Sequence, residues 1–178
     1  RSLCDWSSDV CSSDLKLTDR SIVQQITLGQ INPLFKLLDG QTATIPEQNQ
    51  GNLSPVDIDA SAFFETATLD SGFLDISISN NLPVKVKLVI FELTNAGDNS
   101  QVAYDSFTNI PIGGKVTKRI DLKNKTVTKT LKGSIKQLST EASSGPVLID
   151  ASKGVDLELK VSRLHPRYAV AARSEEHT

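Results

Sequence analysis

Several reactive residue types are absent from most of this chain. The 178 residues contain no methionine, and both cysteines, the single tryptophan and one of the two histidines lie within the first 11 or the last two positions. The central part therefore has no disulfide framework, no thiol nucleophile and no zinc-finger spacing. The remaining histidine, His165, cannot form a histidine pair for a metal site. No apolar run reaches the ~20 residues of a spanning helix, so we expect no membrane span.

The two termini are related at the nucleotide level. Residues 9–15 are DVCSSDL, and one back-translation of this segment has a reverse complement that encodes RSEEHT, the last six residues. Such an inverted repeat has no folding rationale, whereas sequencing adapter ligated to both ends of a DNA insert produces it. We interpret residues 1–15 and 173–178 as translated adapter, expected to be disordered. The native part, 16–172, is then expected to be a piece of a longer protein.

Short β-prone runs alternate with turn residues from about residue 56 onward. The clearest run, FLDISIS at 73–79, places Leu74, Ile76 and Ile78 on one face and polar residues on the other. Many short strands with regular turns are typical of a sandwich or barrel. We predict an all-β, antiparallel, Ig-like sandwich of about seven or eight strands over residues 56–165, with 166–172 as the fragment's end.

Three local patterns make further predictions. Residues 60–69 are expected to pair with 73–79 across a tight turn at 70–72, where Gly72 supplies a positive φ. Residues 84–93 predict a strand whose apolar second half is central and covered. Residues 127–138 have apolar residues at helical spacing, but their threonines and Gly133 favour a strand.

The segment 16–55 differs from the rest. Asn32-Pro33 followed by LFKLLDG predicts a short helix that Asn32 caps and Gly40 ends. Residues 21–30 fit either a strand or a helix. Residues 41–55 form a polar linker or long loop with a soft domain boundary, and the sequence leaves open whether 16–55 belongs to the sandwich.

Charge is segregated along the chain. Between Leu37 and Val84 there are seven acids and no Lys or Arg, whereas Lys115 to Lys136 contains eight bases and one acid. If the basic strands share a face, that face could attract a polyanion. The alternative is that the two halves neutralise each other or that lysines protect sheet edges. The candidate polyanion face is Lys115, Lys118, Arg119, Lys129, Lys132 and Lys136.

A gap between the sheets is the second candidate site, because it could hold an acyl chain or another apolar ligand. Its candidate lining is Phe64, Leu74, Ile76, Leu88, Ile90 and Phe107. The same residues would form an ordinary core, since strand faces must be apolar to pack. A cavity of about 300 Å³ or more would favour a carrier, and a close-packed interior would favour a structural module.

Catalytic and cofactor motifs are missing. Neither GxSxG, GxGxxG nor a phosphate-binding GxxxxGK[ST] loop occurs, and a single histidine would have to serve as general base. Asp57 and Asp59 share a strand face, as an oxygen-ligand Ca²⁺ site could use, but so do the residues of any solvated strand. The Asp98-Asn99 loop is interpreted as a turn. We expect no enzyme activity, no metal and no cofactor.

The stretch 74–122 resembles late-embryogenesis-abundant type 2 and water-stress domains. Asn80, Asn81 and Pro83 match the end of a strand followed by a proline-containing turn, and Ile110, Pro111, Gly113 and Gly114 match an I-P-x-G-G turn. The resemblance implies an Ig-like sandwich without catalytic residues. The segment is also similar to uncharacterised secreted or envelope proteins of Bacteroidota-like bacteria, in which S-N-N-L-P-V strands recur.

These observations favour a non-catalytic structural or binding module of a larger bacterial cell-envelope or secreted protein, located outside the cytoplasm. The alternative is a carrier of a lipid or other apolar ligand. Expected partners are other envelope proteins or an anionic surface polymer. Nucleic acid is not an expected partner, because arginine and stacking aromatics are scarce in the basic segment.

Overall fold

The computed structural model describes residues 20–59 and 65–170. The two termini interpreted as adapter, and the candidate lining residue Phe64, lie outside these ranges. The described elements, in chain order, are β1 (Arg20–Thr27), α1 (Leu28–Ile31), α2 (Leu34–Leu37), β2 (Thr42–Ala43), β3 (Asn49–Gly51), β4 (Val56–Asp59), β5 (Thr66–Asn80), β6 (Val86–Asn95), β7 (Gln101–Ile110), β8 (Lys115–Asp121), β9 (Thr126–Thr128), β10 (Thr130–Thr140), β11 (Val147–Leu148) and β12 (Gly154–Val170).

The strands form two antiparallel sheets. Sheet 1 has the order β1-β12-β5-β8, with β9 also paired to β5; sheet 2 has the order β3-β10-β6-β7, with β4 also paired to β10. A two-stranded ribbon joins β2 and β11. The predicted all-β antiparallel sandwich is confirmed. The described part contains twelve strands rather than seven or eight. The very short strands β2 and β3 were not predicted, the sequence leaves β1 open between strand and helix, and the segment 127–138 divides into two strands.

The core lies between the sheets and follows the alternation of the long strands. On β5, Leu74, Ile76 and Ile78 are buried, as the FLDISIS pattern predicts. On β6, the buried side chains are Val89, Phe91 and Leu93. Burying each such side chain contributes roughly 1.5–3 kcal/mol relative to exposure, so these two strands anchor the sandwich.

The predicted hairpin turn at residues 70–72 is wrong. Strand β5 runs through these residues without a break, and β12 pairs with it from Asn80 back to Thr66. A Cβ on Gly72 would lie 2.6 Å from Cδ2 of Leu164, in the part of β12 where the register shifts. The glycine therefore leaves room for the Leu164 side chain and does not supply a positive φ in a turn.

The segment 127–138 is extended, as predicted, but it divides between the sheets. Val127 lies on β9 in sheet 1, and Ile135 and Leu138 lie on β10 in sheet 2. All three side chains are buried. The apolar spacing that imitates a helix arises because the chain changes sheets between β9 and β10.

Residues 20–37 contain both of the structures that the sequence left open. β1 pairs with β12 over eight residues, and Thr27 then caps α1 through a capping box with Gln30. The predicted short helix is present as α2, but its N-cap is Pro33 rather than Asn32, and it ends at Leu37 rather than at Gly40. The Asn32 side chain still accepts a hydrogen bond from the Leu34 N–H at 3.1 Å. Through β1 and β3, residues 20–55 contribute a strand to each sheet.

We expect Gly154→Ala to weaken the attachment of β1. A Cβ at this position would overlap the carbonyl oxygen of Ile26 and lie 2.7 Å from Cα of Thr27, both backbone atoms that cannot move aside freely. Urea denaturation should show a loss of about 1–3 kcal/mol in the free energy of unfolding. The control is Gly97→Ala, which has open space around its Cβ and should change stability by less than about 0.5 kcal/mol. Equal effects of the two substitutions would contradict this account.

Candidate functional site

The six cations of the candidate polyanion face are distributed over both sheets. Lys115, Lys118 and Arg119 lie on β8 in sheet 1, whereas Lys132 and Lys136 lie on β10 in sheet 2. Lys129 lies between β9 and β10. The two groups of strands thus belong to opposite layers, and the structure does not bring the six side chains together on one face.

Five of these cations form ion pairs with carboxylates. The pairs are Lys115–Glu158 (2.9 Å), Lys118–Asp105 (2.7 Å), Arg119–Asp75 (2.6 Å), Lys129–Glu65 (2.8 Å) and Lys136–Glu92 (3.3 Å). Lys132 stands opposite Asp57 in the register of β10 and β4. Glu65 and Asp75 come from the acidic segment of the sequence. The acidic and basic segments therefore partly neutralise each other through ion pairs in the folded protein.

The Arg119–Asp75 pair has the most directional geometry of the five. Nε of Arg119 donates to Oδ1 of Asp75 at 2.6 Å and Nη2 donates to Oδ2 at 2.8 Å, while the guanidinium lies 5.3 Å from the ring centre of Phe73. The hydrogen bonds from Arg119 hold the pKa of the Asp75 carboxyl below its ordinary value of 3.8. The guanidinium is therefore oriented by the protein's own carboxylate.

The candidate apolar lining divides into two groups. Leu74, Ile76 and Phe107 are fully buried members of the continuous core. Leu88 and Ile90 are only half-buried, because they lie on the outer face of β6. Assigning these two to the gap between the sheets was therefore wrong. The inward positions of β6 are the alternate residues beginning at Val89.

One apolar crevice is lined entirely by described residues. It lies where β1 and β12 of sheet 1 face β4 and β10 of sheet 2, and its volume is about 10 Å³. That volume accommodates one water molecule at most. The lining consists of Ile22, Gln24, Val56, Ile58, Gly133, Leu157 and Leu159, none of which belongs to the predicted lining.

The remaining polar candidates occupy exposed strands and turns. Asp57 and Asp59 alternate with half-buried residues on β4, and His165 is exposed on β12. Asp98 accepts hydrogen bonds from the N–H and the hydroxyl of Ser100, and these bonds lower the pKa of its carboxyl. The Asp98 loop is a turn, as interpreted. Within residues 20–59 and 65–170, no three His, Cys, Asp or Glu side chains are grouped so that they could hold a metal ion.

The residues that carry the family resemblance are bonded to one another. Asn80 is fully buried, and its side-chain N–H groups donate to the carbonyl oxygens of Val84 (2.9 Å), Ile110 (3.2 Å) and Pro111 (3.1 Å). Its side-chain oxygen accepts from the Leu82 N–H at 3.0 Å. The proline-containing turn and the I-P-x-G-G turn, 30 residues apart, therefore meet at one amide.

A second buried asparagine, which the sequence analysis missed, lies at the end of β6. Asn95 donates to the hydroxyl of Ser100 (2.8 Å) and the carbonyl of Thr126 (2.9 Å), and it accepts from the Thr128 N–H (2.8 Å). It joins sheet 2 to β9 of sheet 1. The only sequence signal was an asparagine beside a turn, which does not distinguish a buried anchor from an exposed turn residue.

No protein-family model matches this chain, and no curated protein matches it. The helices α1 and α2 have four residues each, and no helix in the described part of the chain is long and apolar enough to cross a membrane.

We expect Asn80→Ala to destabilise the protein by about 2–4 kcal/mol, because the buried carbonyls of Val84 and Ile110 and the N–H of Leu82 lose this side-chain partner. Asn80→Asp should cost at least as much, since a carboxylate cannot donate to those carbonyls. The matched control is Asn81→Ala, which removes one exposed hydrogen bond to Asp156 and should cost about 0.5 kcal/mol. Urea denaturation monitored by circular dichroism makes the measurement. A stability of Asn80→Ala close to that of the control would refute the anchoring role.

Stability should decrease in acid. The pKa values of Asp75, Glu92 and Glu158 are lowered, first by side-chain hydrogen bonds from Arg119, Gln101 and Lys115 respectively. A lowered pKa in the folded state gives stability that is present above the ordinary carboxyl values of 3.8 and 4.5 and is lost as the pH falls through the folded values.

The free energy of unfolding should therefore be nearly constant from about pH 8 to about pH 5.5 and decrease below about pH 4.5. Asp75→Asn should reduce the steepness of that decrease, because its amide does not titrate. The control is Asp70→Asn, the same substitution at an exposed position of the same strand. The account fails if the Asp75 and Asp70 variants have the same acid dependence in urea titrations.

Proposed function

We propose that this chain is a non-catalytic structural or binding module of a larger bacterial cell-envelope or secreted protein, located outside the cytoplasm. Its partners would be other envelope proteins or an anionic surface polymer. The fold class is the part of this proposal that the structure establishes. The interior polar groups and the charged groups support the proposed role.

The main support for the proposal is that the buried polar side chains form hydrogen bonds that stabilise the fold. Asn80 and Asn95 join turns to strands of the opposite sheet, and Gln48 binds the carbonyls of Pro46 and Glu47. Of the buried side-chain nitrogen and oxygen atoms described, none lacks a hydrogen-bond partner. Functional sites commonly keep polar groups that the fold leaves unsatisfied. In the described part of this protein, the buried polar side-chain atoms are instead bonded within the fold.

The titratable groups support the same conclusion. Every described carboxyl group with a shifted pKa has it lowered, by ion pairs or by turn hydrogen bonds; these are Asp75, Glu92, Asp98, Asp150 and Glu158. A carboxyl that acts as general acid at neutral pH needs the opposite shift. These carboxylates stay ionised and act as surface partners for cations and N–H groups.

The envelope origin rests on the resemblance of residues 74–122 to secreted and envelope proteins. Within this stretch, hydrogen bonds join Asn80 to the turn at Ile110–Pro111, and these residues carry the separate resemblance to late-embryogenesis-abundant type 2 and water-stress domains. A motif made of turn residues around a buried amide supports a scaffold role and does not supply a ligand site.

The carrier alternative receives less support. The crevice beside Gly133 has a volume of about 10 Å³, whereas sites for drug-sized ligands begin near 300 Å³. Leu74, Ile76 and Phe107, which were candidates for the lining, are packed within the core. An acyl chain would have to displace these side chains to enter between the sheets.

Native mass spectrometry of the full chain, reduced and exposed to a bacterial lipid extract, tests the two alternatives. We expect the mass of the unliganded chain. A discrete added mass that survives gentle activation would instead establish a carrier and identify the class of ligand.

Gly133→Ala is the matched variant for this experiment. Its Cβ would make ordinary contacts of 3.5–3.7 Å with Phe91 and Ile58 at the crevice. If the crevice is a packing gap, the methyl should leave stability unchanged or raise it by about 0.4–1 kcal/mol. An added lipid mass in the parent that disappears in Gly133→Ala would place the ligand in the crevice.

A further inference from the structure

The two edges of the sandwich differ in how their outer strands are bonded. On one side, Nζ of Lys118 on β8 donates to Oδ1 of Asp105 and to the carbonyl oxygen of Ser106 on β7, both at 2.7 Å. Oδ1 of Asp105 also accepts from the Ser106 N–H at 2.7 Å. Both backbone polar groups of Ser106 are thus bonded by charged side chains, and the outer strands of the two sheets are linked.

On the opposite side, the described residues form no comparable ion pair at β1. This strand is the outermost strand of sheet 1 among the residues that the structure describes. Residues 21–27 include no charged residue and no proline, and the register with β12 runs over eight residues without a shift. Ser21, Val23 and Gln25 lie on its exposed face, and Val23 is 66% exposed.

Natural sheets protect their edges with charges, prolines, bulges or covering segments, because unpaired N–H and C=O groups accept another strand. β7 has such a device at Ser106. Apart from Arg20 at its start, β1 combines regular geometry with neutral side chains and an exposed β-branched residue, which are the properties of an edge that receives a strand.

We propose that β1 pairs antiparallel with β1 of a second copy of this chain, about a two-fold axis at Val23. Sheet 1 of one copy and sheet 1 of the other would then form one continuous sheet across the dimer. The pairing concerns the edge backbone and is independent of whether the module is structural or a carrier.

The sequence of β1 is complementary to itself in this register. The two-fold axis places Val23 opposite Val23, Ser21 opposite Gln25 and Ile22 opposite Gln24, so no like charges meet. A β-branched cross-strand pair at the centre is favourable. An interface made of the same strand on both copies closes after two chains, as cyclic dimers do.

The charges that flank β1 do not oppose the pairing. Glu158, which stands opposite Val23 on β12, is bonded to Lys115 at 2.9 Å and to the Ser21 hydroxyl at 3.1 Å. Its charge is therefore already compensated within each copy. A second copy fits this edge without requiring any complementary patch elsewhere.

Sedimentation velocity of the full chain, from about 5 to about 200 µM, tests the proposal. A reductant is present, because Cys4 and Cys11 could otherwise cross-link the chains. We expect a species of twice the chain mass whose population rises with concentration.

Val23→Lys, at an exposed position, should keep the fold by circular dichroism but raise the dimer dissociation constant at least about tenfold, because two ammonium groups would face each other. A parent that stays monomeric at the highest concentration would overturn the proposal.

The control is Thr108→Lys, an exposed position on the other outer strand, β7. It should leave the dimer unchanged. If Thr108→Lys dissociates the dimer and Val23→Lys does not, the interface lies on β7 and the assignment to β1 is wrong.

A cross-linking variant tests the two-fold axis itself. In a background with Cys4→Ser and Cys11→Ser, Val23→Cys should form an intermolecular disulfide on oxidation, since opposite Cβ atoms in antiparallel strands lie about 4.5–5.5 Å apart, close to disulfide distance. Thr108→Cys in the same background should stay monomeric on a non-reducing gel. No cross-link at Val23 in a chain that dimerises would overturn the proposed axis.

Discussion

One buried amide connects the turns on which the order of the sandwich depends. The chain leaves sheet 1 at the end of β5, forms β6 and β7 in sheet 2, and returns to sheet 1 at β8. Asn80 binds the carbonyls of Val84, Ile110 and Pro111, so the departing and returning segments share one partner. A buried polar network is favourable only when all of its members are satisfied. This amide therefore fixes both turns together, and neither can move without leaving carbonyls unpaired.

Asn95 has a corresponding role at the other end of β6. Its bonds to Ser100, Thr126 and Thr128 join the β6–β7 turn to β9. The two asparagines hold opposite ends of the same central strand, and between them the interior of β6 is apolar. Polar chemistry in this interior thus specifies the connections between the sheets.

The sequence predicted elements whose signal is local and failed where the signal depends on distant residues. Alternation in residues 73–79 was sufficient because the strand has one buried face. Leu88 to Phe91 are all apolar, so periodicity could not choose the inward pair, and it assigned Leu88 and Ile90 to the wrong face. Gly72 gives the same signal for a turn and for close strand contact. The pairing of β1 with β12, residues about 130 positions apart, and the crevice between them leave no local pattern.

The charged residues show why a run of basic residues in the sequence did not predict a basic face in the structure. The basic segment divides between two sheets, and five of its six candidate cations bind carboxylates. Lys118 acts on the backbone, since it binds the carbonyl of an outer strand. Recognition through a strand edge uses main-chain groups that every residue has, and its sequence requirement is the lack of charge, proline and irregularity. Such a surface carries no motif of reactive side chains. Its properties are those of the whole strand, as the difference between the outer strands β1 of sheet 1 and β7 of sheet 2 shows.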